Sequence, residues 1–554
     1  MGNSLLNALT CGACTERREE EEEGPREMDE ATKETFEALK RDETPLPKNL
    51  DELKIMTKDM ITKRNDNVFD HYEKVSELGS GAFGTVYKVK SKASDNFRAM
   101  KVISKELIQS GVEAAEISNE IKILSRLDHP NIMRIYEFFE DKDNFYIITE
   151  FCDQGDLAGK MDEEGKLSEI LVKYFMNQVF VAISYLHSQG VFHGDIKREN
   201  ILLESLDESI NAKNTINSIE KDTNVQKEIS NPKNISDKTR KLLKELSTIE
   251  VKLVDFGAAK MFSAHKRMSG IIGTTYYCSP EVIDNLYREE CDEWACGILM
   301  YILLTGYPPF DAEDEDTIFN KIKNEKVNLR VDELKNVSRN CKNLISLLLQ
   351  KDPEQRIKAK DALQHPFFTE NLNVDDLLTQ GTDMSLLTSL RSSMAQKTKF
   401  QDAVIAYIAL NFTNKQEESK IKEIFRSMSK DHSTFKIDMD MFVKCLTENN
   451  IANEDEAKNI FNSIDNDKNG SIEYQELVRG MTDKEKLLSD KNLKEAFDFF
   501  DVDGSKTITW DEIARVVFQG KNVPKDLMKS FLNEIGKTEN DPITFPEFCE
   551  MIRK

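Results

Sequence analysis

The sequence has no apolar run of the ~18 residues needed to span a bilayer, no paired C-x-x-C motifs of a zinc site and no surplus of basic charge. The first absence argues against a spanning helix. The second, with nine cysteines scattered apart from Cys11 and Cys14, predicts reduced thiols and a cytosolic protein. The third is decisive for partners: a formal net charge of −24 repels nucleic-acid phosphates, so no nucleic acid is expected. The N-terminus also lacks the basic-then-apolar layout of a secretory signal. What the chain does have is acid, which suits either a soluble surface or calcium.

At 554 residues there is room for roughly three or four domains. Composition divides the chain into four parts. Residues 1–66 are irregular and carry the acidic run at 19–23, which predicts a disordered extension. Residues 72–368 read as strands, then helices. Within them the stretch 205–247, rich in Asn, Lys, Ser and Asp, is a low-complexity insertion expected to be disordered, with a helix near 238–246. Residues 371–414 read as a helical junction. In 415–554, amphipathic helices and short polar loops repeat about every 35 residues.

Leu78-Gly79-Ser80-Gly81-Ala82-Phe83-Gly84-Thr85-Val86 reads as strand, glycine turn, strand. Glycines let a backbone approach phosphate oxygens, but this motif alone also fits an ordinary hairpin. The strand Phe97-Arg98-Ala99-Met100-Lys101 ends in a lysine, and Glu120 lies in a helical run placed to pair with it. Then follow His193-Gly194-Asp195-Ile196-Lys197-Arg198-Glu199-Asn200, Asp255-Phe256-Gly257 and Ser279-Pro280-Glu281. These blocks, in this order, resemble the protein-kinase signature set.

The resemblance implies that ATP lies against Leu78, Gly79, Gly81, Gly84, Val86 and Ala99, with Lys101 on its phosphates and paired to Glu120. It places Thr149 beside the adenine hinge formed by Glu150 and Cys152. Asp195 would accept the hydroxyl proton, Lys197 marks the serine/threonine class, and Asn200 and Asp255 would hold Mg²⁺. Asp156 and Glu199 would read basic residues upstream of the target. Asp292 would brace the catalytic loop, and Glu281 would pair with Arg356. Gly194 stands where an arginine is usual, so activation by phosphorylation of Ser269, Thr274 or Thr275 is not expected.

Asp465-Asn466-Asp467-Lys468-Asn469-Gly470-Ser471-Ile472-Glu473-Tyr474-Gln475-Glu476 matches the twelve-residue EF-hand loop at every key position. Asp465, Asp467, Asn469, Ser471 and the closing Glu476 are its calcium ligands, with glycine at the sharp turn. A second loop offers Asp501, Asp503, Ser505, Thr507 and Glu512, but puts Lys506 at the turn. A left-handed residue there costs roughly 1–2 kcal/mol, so weaker binding is expected. Flanking loops at 429–441 and from Gly536 to Glu547 lack first carboxylates and read as structural.

A kinase, a helical junction and four EF-hands resemble, in that order, the calcium-dependent protein kinases of plants, ciliates and apicomplexan parasites. The resemblance implies a multidomain chain, an α+β bilobal kinase fold followed by an all-α calmodulin-like domain. It implies ATP, Mg²⁺ and Ca²⁺ as cofactors, protein substrates, and a junction that blocks the cleft until calcium-loaded EF-hands capture it. The candidate junction is 375–410, where Leu386, Leu387, Leu390, Met394, Phe400, Val404, Ile405 and Ile408 can form an apolar stripe near Arg391, Lys397 and Lys399. A full switch needs about 5.5 kcal/mol of differential binding, which two intact loops can supply. A calcium-responsive scaffold with an inactive kinase fold is the alternative reading. Met1-Gly2 opens like a myristoylation signal, with Leu6 where Ser or Thr is preferred. Cys11 and Cys14 could add palmitate, so membrane attachment is a further expectation.

Overall fold

The computed structural model describes residues 46–47, 49–55, 60–61, 63–64, 66–81, 84–107, 111–207, 209–230, 235–262, 268, 273–370, 386–390, 397–413, 415–429, 436–482 and 487–554. The acidic run at 19–23, Gly2, Cys11, Cys14, Ser269, Arg391 and Met394 lie outside these residues.

The glycine-rich segment is a hairpin. Strands β2 (Tyr72–Gly81) and β3 (Gly84–Ser91) pair antiparallel, with Gly81 opposite Gly84. A Cβ at Gly84 would lie 1.8 Å from the carbonyl oxygen of Val102, so only glycine lets β3 close on β4 (Phe97–Ser104). With β1 (Lys63–Arg64), β5 (Ile135–Glu140) and β6 (Asn144–Glu150) they form one sheet in the order β1-β5-β6-β4-β3-β2. Helix α1 (Gly111–Leu124) belongs to this lobe.

Strand β1 and the turn Leu50–Glu52 correct the expectation of disorder through residue 66. Leu53, Ile55 and Met60 are buried in a core shared with the sensor helices. A few apolar residues in a polar stretch suffice when two domains offer them a common groove.

The second lobe is built on helices α2 (Leu157–Glu164) and α3 (Glu169–Ser188). The short strands β7 (Val191–Phe192), β8 (Ile201–Ser205) and β9 (Ile249–Leu253) carry the catalytic segments at their ends. The expected disorder of 205–247 is also corrected. Helices α4 (Ala212–Lys221), α5 (Thr223–Ser230) and α6 (Asp237–Ser247) fill the connection from β8 to β9. Ile216, Ile219, Val225, Ile229, Leu242, Leu243 and Leu246 are all buried. The apolar residues are few but fall at helical spacing, so each reaches the core. The helix expected near 238–246 is α6. Helix α7 (Glu290–Thr305) is buried along its whole length.

The junction is helical over α8 (Lys399–Phe412), with a turn at 386–390; 371–385 and 391–396 are outside the described residues. Four helix pairs follow: α9 (Lys415–Met428) with α10 (Met439–Glu448), α11 (Glu454–Ile464) with α12 (Tyr474–Met481), α13 (Asp490–Phe500) with α14 (Trp510–Val517), and α15 (Lys525–Glu534) with α16 (Phe545–Arg553). Their loops couple two by two through short antiparallel ladders, Ile437 opposite Ile472 and Ile508 opposite Ile543. Each ladder ties an intact loop to a degenerate one.

Candidate active site and calcium loops

The cleft between the two lobes collects the kinase-like residues. Leu78 packs on buried Val86 and Ala99 to form a ceiling. Met133, Cys152, Leu202 and Val254 form a matching apolar floor. The sequence reading found Cys152 but missed Met133, Leu202 and Val254, because nothing local marks them. Lys101 donates to Glu120 at 3.1 Å. The carboxylate of Glu150 accepts from Lys252 Nζ at 2.9 Å and from the N–H of Arg134. Thr149 is buried on β6 immediately before it.

Asp195 is held from three sides. Its carboxylate accepts from Lys197 Nζ at 2.6 Å, Asn200 Nδ2 at 3.0 Å and Thr274 Oγ1 at 3.0 Å. Asn200 Nδ2 also donates to the Asp195 carbonyl at 2.8 Å. Since the amide nitrogen is used, the amide oxygen remains. Asn200 Oδ1 and Asp255 Oδ2 are buried and have no hydrogen-bond partner among the described residues. Two orphaned oxygens in one cleft fit a hard dication. Asp255 sits in left-handed backbone, φ 64°. Burial, reinforced by Glu120, pushes its carboxyl up to about 7, which is the electrostatic cost a bound cation would offset.

The catalytic loop is braced as expected. Asp292 accepts from the N–H groups of His193 and Gly194, both at 2.8 Å, and from His187 Nε2 at 2.9 Å. Arg356 grips Glu281 through two bonds of 2.6 and 3.0 Å. Thr274 belongs to the site rather than to a regulatory loop, since its hydroxyl bonds both Asp195 and Lys197. Thr275 donates to Glu315 at 2.6 Å. Asp156 is a buried helix cap, accepting from the N–H of Gly159 at 2.7 Å. This geometry assigns it a structural part.

In the sensor, carboxylate oxygens of Asp465, Asp467 and Glu476 lie within 4.8 Å of one another, and so do those of Asp501, Asp503 and Glu512. Asn469 and Ser471, and Ser505 and Thr507, lie in the same two loops. Backbone N–H groups orient the acids: Asp465 accepts from Asn469 and Gly470, and Glu476 from Asn466 and Glu473. Burial pushes Glu476 up to about 8. Clustered, partly desolvated oxygens of this kind fit calcium. Gly470 has φ 82°, and Lys506 adopts φ 67° at the equivalent place, so the strain expected of the third loop is present.

The fourth loop differs. Lys537 Nζ donates to Glu547 Oε1 at 2.8 Å and to the carbonyl of Pro542 at 3.4 Å. The lysine ammonium, with bonds from Thr544, holds the Glu547 carboxyl down at about 2. In the first loop Lys436 reaches Glu473 of the second at 2.8 Å.

The junction lies in the sensor. Phe400 meets the rings of Phe500, Phe531 and Phe548 at 5.3, 6.5 and 5.8 Å. Tyr407 stacks on Phe499 at 4.0 Å. Leu387 and Leu390 are fully buried, and Ser389 donates to the carbonyl of Met481. The sensor in turn docks on the catalytic domain. Lys422 and Arg426 both bond Glu250, Glu418 bonds Arg134, and Lys415 bonds Glu204, which also meets Lys252. No helix of the described residues is long and apolar enough to cross a membrane.

Comparison with known sequences agrees with this architecture. The protein kinase domain family matches residues 72–368, the EF-hand family 457–481 and the EF-hand domain pair family 490–553. These define a protein kinase joined to a calcium-sensing module. Calcium-dependent protein kinase 4 of Plasmodium falciparum is 32% identical over 518 residues, with 89% of each chain covered. Its namesake in Plasmodium berghei is 31% identical over 507 residues, again with 89% of each covered. Calcium-dependent protein kinase 2 of Zea mays is 28% identical over 495 residues, covering 89% of this chain and 88% of its own. The chain belongs to the calcium-dependent protein kinases.

Proposed function

We propose that the chain is a calcium-activated serine/threonine kinase that transfers the γ-phosphate of ATP to protein hydroxyls. The observation that carries this is Asp195, held by Lys197, Asn200 and Thr274 beside the orphaned oxygens of Asn200 and Asp255. Asp195 takes the proton of the incoming hydroxyl, with Thr274 and Lys197 fixing its carboxylate. Lys101, kept in place by Glu120, attracts the phosphates to the glycine hairpin. Asn200 and Asp255 would hold Mg²⁺, which when bound neutralises charge on the transferring phosphoryl group. The apolar ceiling and floor clasp adenine and keep water out.

Regulation follows from where the junction sits. Calcium at the second and third EF-hands favours the arrangement with the junction in the sensor grooves, leaving the cleft open; without calcium the junction returns to the cleft. Glu199, four residues past Asp195, supports a substrate with a basic residue upstream of the target. Gly2 with Cys11 and Cys14 supports attachment to a membrane surface through acylation, which labelling with a myristate analogue in wild type and Gly2→Ala tests.

The test of the main reading is peptide phosphorylation with calcium or a chelator, alongside Asp195→Asn. Calcium should raise turnover, and the substitution should lower it by about 10²–10⁴-fold. Nucleotide binding without transfer to any peptide would favour a scaffold instead.

A further inference from the structure

The substrate groove contains a cation of the protein's own. Arg198 follows Lys197 directly, and its Nε donates to Glu199 Oε1 at 3.0 Å. Its Nη1 is 3.7 Å from Asp162 of α2. Both side chains are partly open to solvent, 29% for Arg198 and 20% for Glu199. The other oxygen, Glu199 Oε2, is buried and has no partner among the described residues. Tyr277 lies against the same pair. It is three residues past Thr274, which bonds the catalytic carboxylate. Arg198 and Glu199 therefore flank the path by which a polypeptide reaches Asp195.

We propose that Arg198 is an internal competitor for Glu199, so that the enzyme accepts substrates with no basic residue upstream of the target almost as well as those with one. The inference rests on the proposed reading of Glu199 given above. A guanidinium is recognised best when both carboxylate oxygens are available for a two-pronged contact. Here one oxygen is already taken, and the pair carries no net charge. Because Oε2 is buried, an incoming arginine must displace Arg198 from Oε1, so its own desolvation is poorly offset. Substrates with neutral upstream residues meet no such cost.

The experiment uses the full chain with calcium and three peptides that differ at one upstream position, Arg, Ala or Glu. Wild type should show an Arg-to-Ala ratio of kcat/KM within about threefold, as for a weak exposed pair. Arg198→Gln keeps the size but removes the charge, and should raise that ratio by about tenfold, the worth of a charged hydrogen bond. Arg198→Lys should return it toward wild type, and Glu199→Gln should flatten it in both backgrounds. A ratio unmoved by Arg198→Gln overturns the proposal, as does a wild type that already discriminates as strongly as the variant. Binding of the same peptides, followed by fluorescence anisotropy, gives the ratio without turnover. Absence of phosphotransfer would thus count against the kinase reading, while the binding ratios would still decide this one.

Discussion

The catalytic cleft and the calcium loops are both clusters of acid, but they are stabilised in opposite ways. In the cleft the protein supplies its own cations: Lys101 to Glu120 and Lys197 to Asp195. In the second and third loops, no ion pair forms to Asp465, Glu476, Asp501 or Glu512 among the described residues, and backbone N–H groups alone orient Asp465 and Glu476. A site with fixed counter-charges is preorganised before its ligand arrives. A site of clustered acids is strained until an ion relieves it, and that relief is what can drive a change elsewhere. The fourth loop crosses over to the first strategy, because Lys537 occupies Glu547.

This contrast can be broken at the loops first. Replacing Glu476 and Glu512 together with glutamine should abolish calcium stimulation, a loss of about 5.5 kcal/mol of switching free energy; the activation ratio in a calcium titration measures it. Persisting stimulation would mean that the ion acts elsewhere. Next in size is Lys422→Met, which removes one partner of the fully buried Glu250. It should destabilise the docked sensor by about 3 kcal/mol, read by urea denaturation of the full chain, and less if Arg426 alone suffices.

The cleft offers a test by pH. Burial would lower the His187 pKa, but Glu293 and Asp292 outweigh it and hold it up at about 10. A raised pKa means stabilisation that is complete below about 6.5 and lost as pH rises through about 10. His187→Gln should therefore cost about 2 kcal/mol at pH 6, with wild type and variant converging above pH 10 in thermal melts. The smallest effect should come from Lys537→Met. Its pair is half exposed on the glutamate side, so about 0.5–1 kcal/mol of sensor stability is at stake. Calorimetry should still find calcium at the second and third loops alone. A new binding event would show that the lysine had been excluding the ion.

Much of the site was legible in the sequence because its chemistry is local. Asp195, Lys197 and Asn200 lie within six residues, and each calcium loop lies within twelve. Even the strained turn at Lys506 could be read from spacing. What escaped was set by distance along the chain. Glu250 and Lys422 are partners 172 residues apart, and no local pattern announces such a pair. The same holds for Met133, Leu202 and Val254, which come together only in the folded chain. The insertion misled for another reason: its composition is polar, while its stability comes from a minority of residues at helical spacing against α3. Thr274 was weighed only as a phosphorylation site, and not expected to be one; its bond to the catalytic acid, 79 residues away along the chain, has no local signal.

Arg479, three residues beyond the closing Glu476, donates to the main-chain carbonyl of Ile55 at 2.8 Å. A grip on backbone ignores the identity of the side chain it passes, so drift at position 55 would leave this bond intact. Tension on the segment ahead of the catalytic lobe would reach the exit helix of the calcium loop through that carbonyl, which makes the amino-terminal segment a mechanical lead into the sensor.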